Sequence, residues 1–275
     1  MKNIEEIVHI IPLGYEVDRA VKPFESLLKA NRVYLLTMVE NPKYSHEMNM
    51  KQKKFLEIVR KNLEEKGIEV QIKNVDMFDM LDVMMNVANI IRIEKAKNNI
   101  VYVNMSACGR LTSVAATLAG MARKAKIYYV MADRYSQTES EEAIHGLSIC
   151  ERPKPNIVQL ENFEFVEPDD VGLQILVQLC QKEMKSINIL DFLRQTGIKG
   201  FRPQDFSEKY RHDKRRMDIA CHIRLDKGIL EKLKEKKYIE KERVGKYNKI
   251  RITETGKYVA HISGLLDAEF DVHNM

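Results

Sequence analysis

The sequence predicts an α/β chain: a mostly parallel sheet covered by helices, followed by a smaller basic domain of helices and one β-hairpin. Two observations carry this expectation. Short apolar runs alternate with amphipathic stretches through the first half, and positive charge gathers in the second. Residues 1–180 hold 23 Lys+Arg against 25 Asp+Glu, a net of −2, whereas residues 181–260 hold 22 against 12, a net of +10. A polyanionic partner is therefore expected for the C-terminal part alone.

Each element follows from its residues. Apolar runs at 7–13, 33–39, 100–103 and 127–132, with an alternating run at 69–75, read as strands buried in a sheet. Between them lie helical stripes. Phe55, Ile58, Val59 and Leu63 precede Gly67, a helix stop. Met77, Met80, Leu81, Met84, Ala88 and Ile91 form a second stripe, read as core packing rather than a plastic groove. Leu111, Val114, Ala115, Leu118, Ala119 and Ala122 form a third. Strand, helix, strand, helix in this order makes the first domain Rossmann-like, with right-handed crossovers. The polar stretch 134–142 reads as a loop or short hairpin, and Pro153, Pro155 and Pro168 punctuate the passage onward. The expected division is a sensing domain at 1–155, a linker at 156–167 and a second domain at 168–275.

Composition excludes several classes. A chain of 275 residues with 44% hydrophobic residues accommodates two cores. No apolar run approaches the roughly 20 residues of a membrane span, and the start of the chain does not suit a signal peptide, so a cytoplasmic protein without membrane contact is expected. Cys108, Cys150, Cys180 and Cys221 lie far apart with no C-x-x-C pair, which argues for reduced thiols rather than a metal site. A P-loop, a G-x-S-x-G elbow and a dinucleotide G-x-G-x-x-G after the first strand are all missing.

In the C-terminal part, a buried helix at 171–180 precedes one that Ser186 can cap and Gly197 stops. After a longer polar connection comes a basic helix with His212, Lys214, Arg215 and Arg216 near its start. Two short strands around a Gly- and Asn-bearing turn then make a hairpin. A helix of this kind enters the major groove of double-stranded DNA while the hairpin reaches the backbone or the minor groove. Lys214, Arg215, Arg216, Arg224 and Lys227 are the candidate contacts from the helix, and Lys246 and Lys249 those from the hairpin tip. The pattern Leu230-x-x-Leu233, Lys237-Tyr238-Ile239, Gly245, then Ile250-x-Ile252-Thr253-x-x-Gly256 resembles the winged helix-turn-helix of MarR- and ArsR-type regulators. A winged helix used for protein contact alone is the plainer reading, and the charge argues against it.

In the first domain, ligands are expected at the carboxyl ends of the strands, beside a switch in strand order. Two segments qualify: Gly14, Tyr15, Asp18 and Arg19 after the first strand, and 104–112 after the fourth. In the latter, Asn104, Ser106, Ala107, Cys108, Gly109, Arg110 and Thr112 lead straight into a helix. Small residues there expose backbone N–H groups to an anion, Arg110 adds a charge, and Asn104 or Ser106 can cap the helix or bond a base or ribose. An ordinary strand-to-helix turn is the competing reading.

Joined to a winged helix, the loop 104–112 resembles the ligand motif of CARF domains, the CRISPR-associated Rossmann fold, and the whole chain resembles archaeal CARF–winged-helix regulators. Ala107-Cys108-Gly109 stands where two or more glycines are usual. The resemblance implies a homodimer holding a cyclic oligoadenylate, with cyclic tetra-adenylate favoured, across its two-fold axis. It implies a pocket lined by Gly14, Tyr15, Ser106, Gly109, Arg110 and Thr112 and DNA affinity that responds to the ligand. No cofactor and no catalytic residue are expected. The alternatives are a metal-independent ring nuclease aided by Arg110 and Ser106, or a DNA-binding protein whose first domain only dimerises. Among remaining residues, His9 reads as a satisfied core histidine, His145-Gly146 as a turn, and Lys51, Lys53 and Lys54 as a solvated face. Asp133 and Tyr135 follow the fifth strand and are weaker candidates for the pocket.

Overall fold

The computed structural model describes residues 5–38, 45–160, 168–207, 213–245 and 247–266. The chain divides into two compact units, 1–165 and 166–275.

In the first unit the strands are β1 (Ile7–Pro12), β2 (Arg32–Thr37), β3 (Glu69–Asn74), β4 (Ile100–Asn104), β5 (Lys126–Met131) and β8 (Asn156–Leu160). They form one sheet in the order β3-β2-β1-β4-β5-β8, parallel except for the antiparallel β5–β8 pair. The sequence places 156–167 in a linker, but 156–160 pairs with β5; the rest of that segment lies outside the described residues. The misreading has a physical source, since an edge strand is half solvated and Ile157 and Val158 alone make a weak apolar signal. Helices α1 (Asp18–Val21), α2 (Pro23–Ser26), α3 (His46–Glu64), α4 (Met80–Ala96) and α5 (Arg110–Ala122) fill the crossovers. Ser45 caps α3 and Asp79 caps α4 through their side chains. The polar stretch after β5 folds as a small hairpin, β6 (Arg134–Tyr135) and β7 (Ser148–Ile149), carrying α6 (Glu139–His145).

His9 is the core histidine expected. Its ring is fully buried, meets the Tyr128 hydroxyl and the Lys29 carbonyl at 3.1 Å each, and stacks on Tyr102; burial pushes its pKa down to about 4. Near the amino ends of the strands Glu94, fully buried on α4, ties β2 to the turn that leads into β4. It accepts hydrogen bonds from Tyr34 and Asn99 at 2.7 Å each and pairs with Arg32 and Lys97 at 3.1 Å.

The second unit comprises α7 (Asp170–Gln181), β9 (Met184–Lys185), α8 (Ser186–Gln195), α9 (Lys214–Leu225), α10 (Glu231–Glu235), β10 (Ile239–Val244), β11 (Tyr247–Ile252) and α11 (Glu254–Ile262). Its strands form an antiparallel sheet in the order β10-β11-β9. A π turn at Asp226–Leu230 joins α9 to α10 without a break in the helical path. Leu173, Leu176, Leu190, Leu193, Leu230, Leu233 and Ile250 form the core. Ser186 does not cap α8 but begins it, and its hydroxyl accepts the Asn248 N–H at 3.3 Å. Gly256 is required by close approach: Thr253 caps α11 against its N–H, and any side chain there would collide with the Tyr238 carbonyl.

Burial alone would raise the Glu94 pKa, but hydrogen bonds from Tyr34, Asn99 and Lys97 outweigh it and hold the carboxyl below its ordinary value. Its contribution is therefore complete at neutral pH and lost as the pH falls through this lowered pKa. Glu94→Ala, which takes the acceptor from the Tyr34 hydroxyl and the buried Asn99 amide and leaves Arg32 with Glu6 and Glu69 alone, should cost about 3 kcal/mol in urea unfolding. Glu94→Gln should flatten the acid limb of the stability profile; an unchanged limb would remove Glu94 from this role.

Candidate ligand and nucleic-acid sites

The ends of β1 and β4 adjoin where the strand order reverses, so the loops that follow them meet. The Gly14 N–H donates to the Ala107 carbonyl at 2.7 Å. Arg19 donates to the Ser106 carbonyl at 3.2 Å, and the Asn104 amide donates to the Arg19 carbonyl at 2.9 Å. The remaining Asn104 oxygen accepts from the Ser106 N–H and hydroxyl at 2.8 and 2.5 Å. Asn104, Ser106, Ala107 and Arg19 are thus buried framework. Neither Asn104 nor Ser106 caps α5. Gly109 occupies that position, no side chain bonds the helix end, and the backbone N–H groups of Arg110 and Leu111 take no partner among the described residues. Arg110 itself is exposed.

Asp18, read from sequence as a ligand contact, has other partners. It accepts the Cys150 N–H at 2.9 Å and meets His145 at 3.1 Å, clamping the hairpin over the first loop. The Val17 N–H meets the His145 carbonyl and the Leu147 N–H the Tyr15 carbonyl. Between them Gly146 has φ +81°, and a side chain there would strike the Tyr15 carbonyl. Asp133 accepts from the Glu151 and Arg152 N–H groups, so it too serves the hairpin. Tyr135 is exposed. Lys53 and Lys54 are exposed, whereas Lys51 is half-buried, lies 5.0 Å over the Tyr15 ring and pairs with Glu142.

A cavity of about 220 Å³ opens between these loops and α3. Of the residues picked from the sequence, Gly14, Tyr15, Cys108, Gly109 and Thr112 line it, Ser106 and Arg110 do not, and the Thr112 hydroxyl donates to the Met77 carbonyl at 2.6 Å. Glu16, Gln52, Met38 and Met48 also line it and are not singled out by the sequence, and Met77, read there as core packing, lines it too. Gln52 had a legible signal, as the polar start of the stripe through Phe55, Val59 and Leu63. Burial pushes the Cys108 thiol up to about 12, so it stays protonated at neutral pH. Burial raises the Glu16 pKa, opposed by Ser148 and Arg19. No group of three or more His, Cys, Asp or Glu suited to a metal occurs among the described residues.

In the second unit Lys214, Arg215 and Lys227 are exposed and have no ion pair among the described residues. Arg216 is exposed but pairs with Asp213, the α9 cap, at 3.1 Å. Two candidates hold the fold instead. Arg224 donates to the Gly200 carbonyl at 2.6 Å, a contact the sequence hides because the partner lies in the α8–α9 connection. Lys249 is within β11 rather than at the hairpin tip and pairs with Glu183. Lys246 lies outside the described residues, as does His212. The exposed stripe on α9 is Arg215, Ile219 and Ile223, at one-turn spacing, with Lys227 beyond it in the π turn.

Residues 157–264 match the family model described as the DUF6293 C-terminal winged helix domain. The second unit is a winged helix domain. Residues 7–135 match the model described as HFX_2341_N-like, N-terminal. The first unit has a Rossmann-like, mostly parallel sheet whose strand order reverses between β1 and β4. An uncharacterized protein of Methanocaldococcus jannaschii, MJ1513, is 29% identical over 153 residues, 52% of this chain and 44% of that protein. Among solved structures, Can2 of Sulfobacillus thermosulfidooxidans in complex with cyclic tetra-adenylate is 14% identical with a TM-score of 0.40; the match spans 92% of this chain and 63% of Can2. Csm6 of Enterococcus italicus, bound to cyclic hexa-2′-fluoro-hexa-dAMP, is 10% identical with a TM-score of 0.38, over 86% of this chain and 57% of Csm6. No helix among the described residues is long and apolar enough to cross a membrane.

Gly146→Ala should lower stability by about 2 kcal/mol and free the 134–149 hairpin, seen as faster amide exchange at Leu147 and Cys150. Unchanged exchange at both positions would show that the contact does not clamp the loop.

Proposed function

We propose that the chain is a ligand-responsive DNA-binding regulator whose first domain senses a cyclic oligoadenylate, with cyclic tetra-adenylate the favoured ring. One observation carries the reading: an uncapped α5 N-terminus, with free backbone N–H groups and an exposed Arg110, sits at the strand-order switch beside the β1 loop. A helix end of this kind suits a phosphodiester, which is anionic at every linkage. The ring spans two chains in this reading, because a four-fold repeat of adenylates contains the two-fold axis of a homodimer. Two winged helices then face half-sites about one turn of DNA apart. Ligand affects DNA affinity to the extent that it binds the DNA-competent and incompetent states unequally.

The protein acts as a sensor and leaves the ring intact. In-line cleavage of an RNA linkage is assisted by a base at the 2′-hydroxyl. Near this loop, His145 is not among the residues that line the cavity, Glu16 is held by Ser148 and Arg19 through Oε1, and Cys108 is a protonated thiol.

Calorimetry with cyclic tetra-adenylate should give one ring per two chains, with affinity lowered about tenfold to a hundredfold by Arg110→Ala. Absence of binding at high micromolar ring would sink the sensor reading. Chromatography after prolonged incubation should recover the ring uncut; linear products would favour the ring nuclease. On DNA, Lys214→Ala, Arg215→Ala and Lys227→Ala should each lower the salt slope by about 1 with Tm unchanged. Arg224→Ala should instead cost roughly 1 kcal/mol of stability. If Arg224→Ala alone changed the slope, the assignment of these residues would be reversed.

A further inference from the structure

Among the described residues, the cavity beside the β1 loop is lined by two side chains with an oxygen that takes no partner, Glu16 through Oε2 and Gln52 through Oε1, and Gln52 is the neutral one. Gln52 is 5% exposed, and its amide nitrogen donates to the Leu13 carbonyl at 2.7 Å and to the Thr37 hydroxyl at 3.1 Å. The Leu13 carbonyl can only accept, so the amide cannot turn over: nitrogen faces the sheet and oxygen faces away from it. Among the described residues Oε1 takes no hydrogen bond, and it is not sealed from solvent. Gln52 lines the cavity, so an oxygen turned away from the sheet is directed toward it. An acceptor fixed in this way is poised for a donor, which water supplies until a ligand displaces it.

The other walls define the donor's carrier. Met38, Met48 and Met77 supply polarisable thioethers, and Tyr15 and Phe78 supply rings, so most of the lining suits a flat apolar face. At about 220 Å³ the space falls below the roughly 300–1,000 Å³ of sites that engulf drug-sized ligands. It suits one heteroaromatic base. We propose that this cavity is a purine subsite in which Gln52 Oε1 accepts a hydrogen bond from the 6-amino group of adenine, making Gln52 the residue that selects adenine. The inference rests on the sensor reading and names the atom that would make it specific for adenylates. A purine with a 6-keto group would set acceptor against acceptor, and one with hydrogen at position 6 would leave Oε1 buried and unpaired.

The test uses the full chain with two probes. In calorimetry, wild type should bind cyclic tetra-adenylate at least about tenfold more tightly than the same ring built from purine riboside, which lacks the 6-amino groups. Gln52→Met, similar in volume, should bring the two rings within about threefold of each other. Because Gln52→Met also removes two internal hydrogen bonds, Met77→Trp serves as a second variant; it fills the cavity, leaves Gln52 in place and should abolish binding of both rings. Separately, adenosine 5′-monophosphate added to protein carrying 13C-methyl methionine should shift the Met38, Met48 and Met77 resonances in wild type and not in Met77→Trp. Equal affinity of wild type for the two rings, or a preference that survives in Gln52→Met, overturns the inference while leaving the sensor reading standing. Methionine shifts without binding of either ring would keep the adenine subsite and overturn the cyclic ligand. Neither shifts nor ring binding would overturn both.

Discussion

The reversal of strand order between β1 and β4 is the constraint on which the first domain depends. Neighbouring parallel strands at that point send their chains to opposite faces of the sheet, so the two loops meet with backbone groups that no strand can pair. Here the carbonyls of Arg19, Ser106 and Ala107 are met by Asn104, Arg19 and the Gly14 N–H. The polar side chains nearest the crevice are thereby immobilised. What remains open toward solvent includes backbone at the start of α5 and the exposed Arg110. A crevice built this way recognises charge through the main chain and leaves side-chain discrimination to the neighbouring cavity.

The clamped hairpin extends the same logic. Asp18 is 4% exposed, which suits a carboxylate that fixes a backbone N–H and a histidine rather than one that awaits a ligand. Glycine at 146 makes the crossing possible by accepting a backbone conformation that other residues adopt at a cost. Loop 134–149, polar and unremarkable as a string of letters, therefore forms one wall of the site through Leu147.

Much of the architecture was legible in the sequence because it is periodic. The five parallel strands, the three long helices, the helix stops at Gly67 and Gly197 and the wing all follow from patterns spanning several residues. The sites were legible only as segments. Gly14, Tyr15 and Gly109 do line the cavity, but Asn104, Ser106, Asp18 and Arg224 are the chemically suggestive residues, and their partners lie from 24 to well over 100 positions away or across a loop crossing that no local pattern encodes. Only Ser106 is explained locally, by Asn104 two residues earlier. The charge asymmetry was similarly informative in sum and misleading in detail. Lys241 and Arg251 each meet two carboxylates, and Lys249 meets Glu183, so the hairpin carries less free charge than its composition suggests. The stripe on α9 shows the opposite case, where Ile219 and Ile223 break the core pattern and sit exposed between cations; their methyl groups suit the methyl of thymine.

The pairing of β8 with β5 bears on how the first half can be isolated. A fragment ending at 155, where composition invites a cut, would strip the partner from β5 and expose a row of unpaired N–H and C=O groups along 127–131. Such an edge, with Ile127, Tyr128 and Val130 behind it, is a template for adding strands from other molecules. Fragments intended to study the sensing half need the antiparallel strand through Leu160, or their self-association will report the missing edge in place of the native assembly.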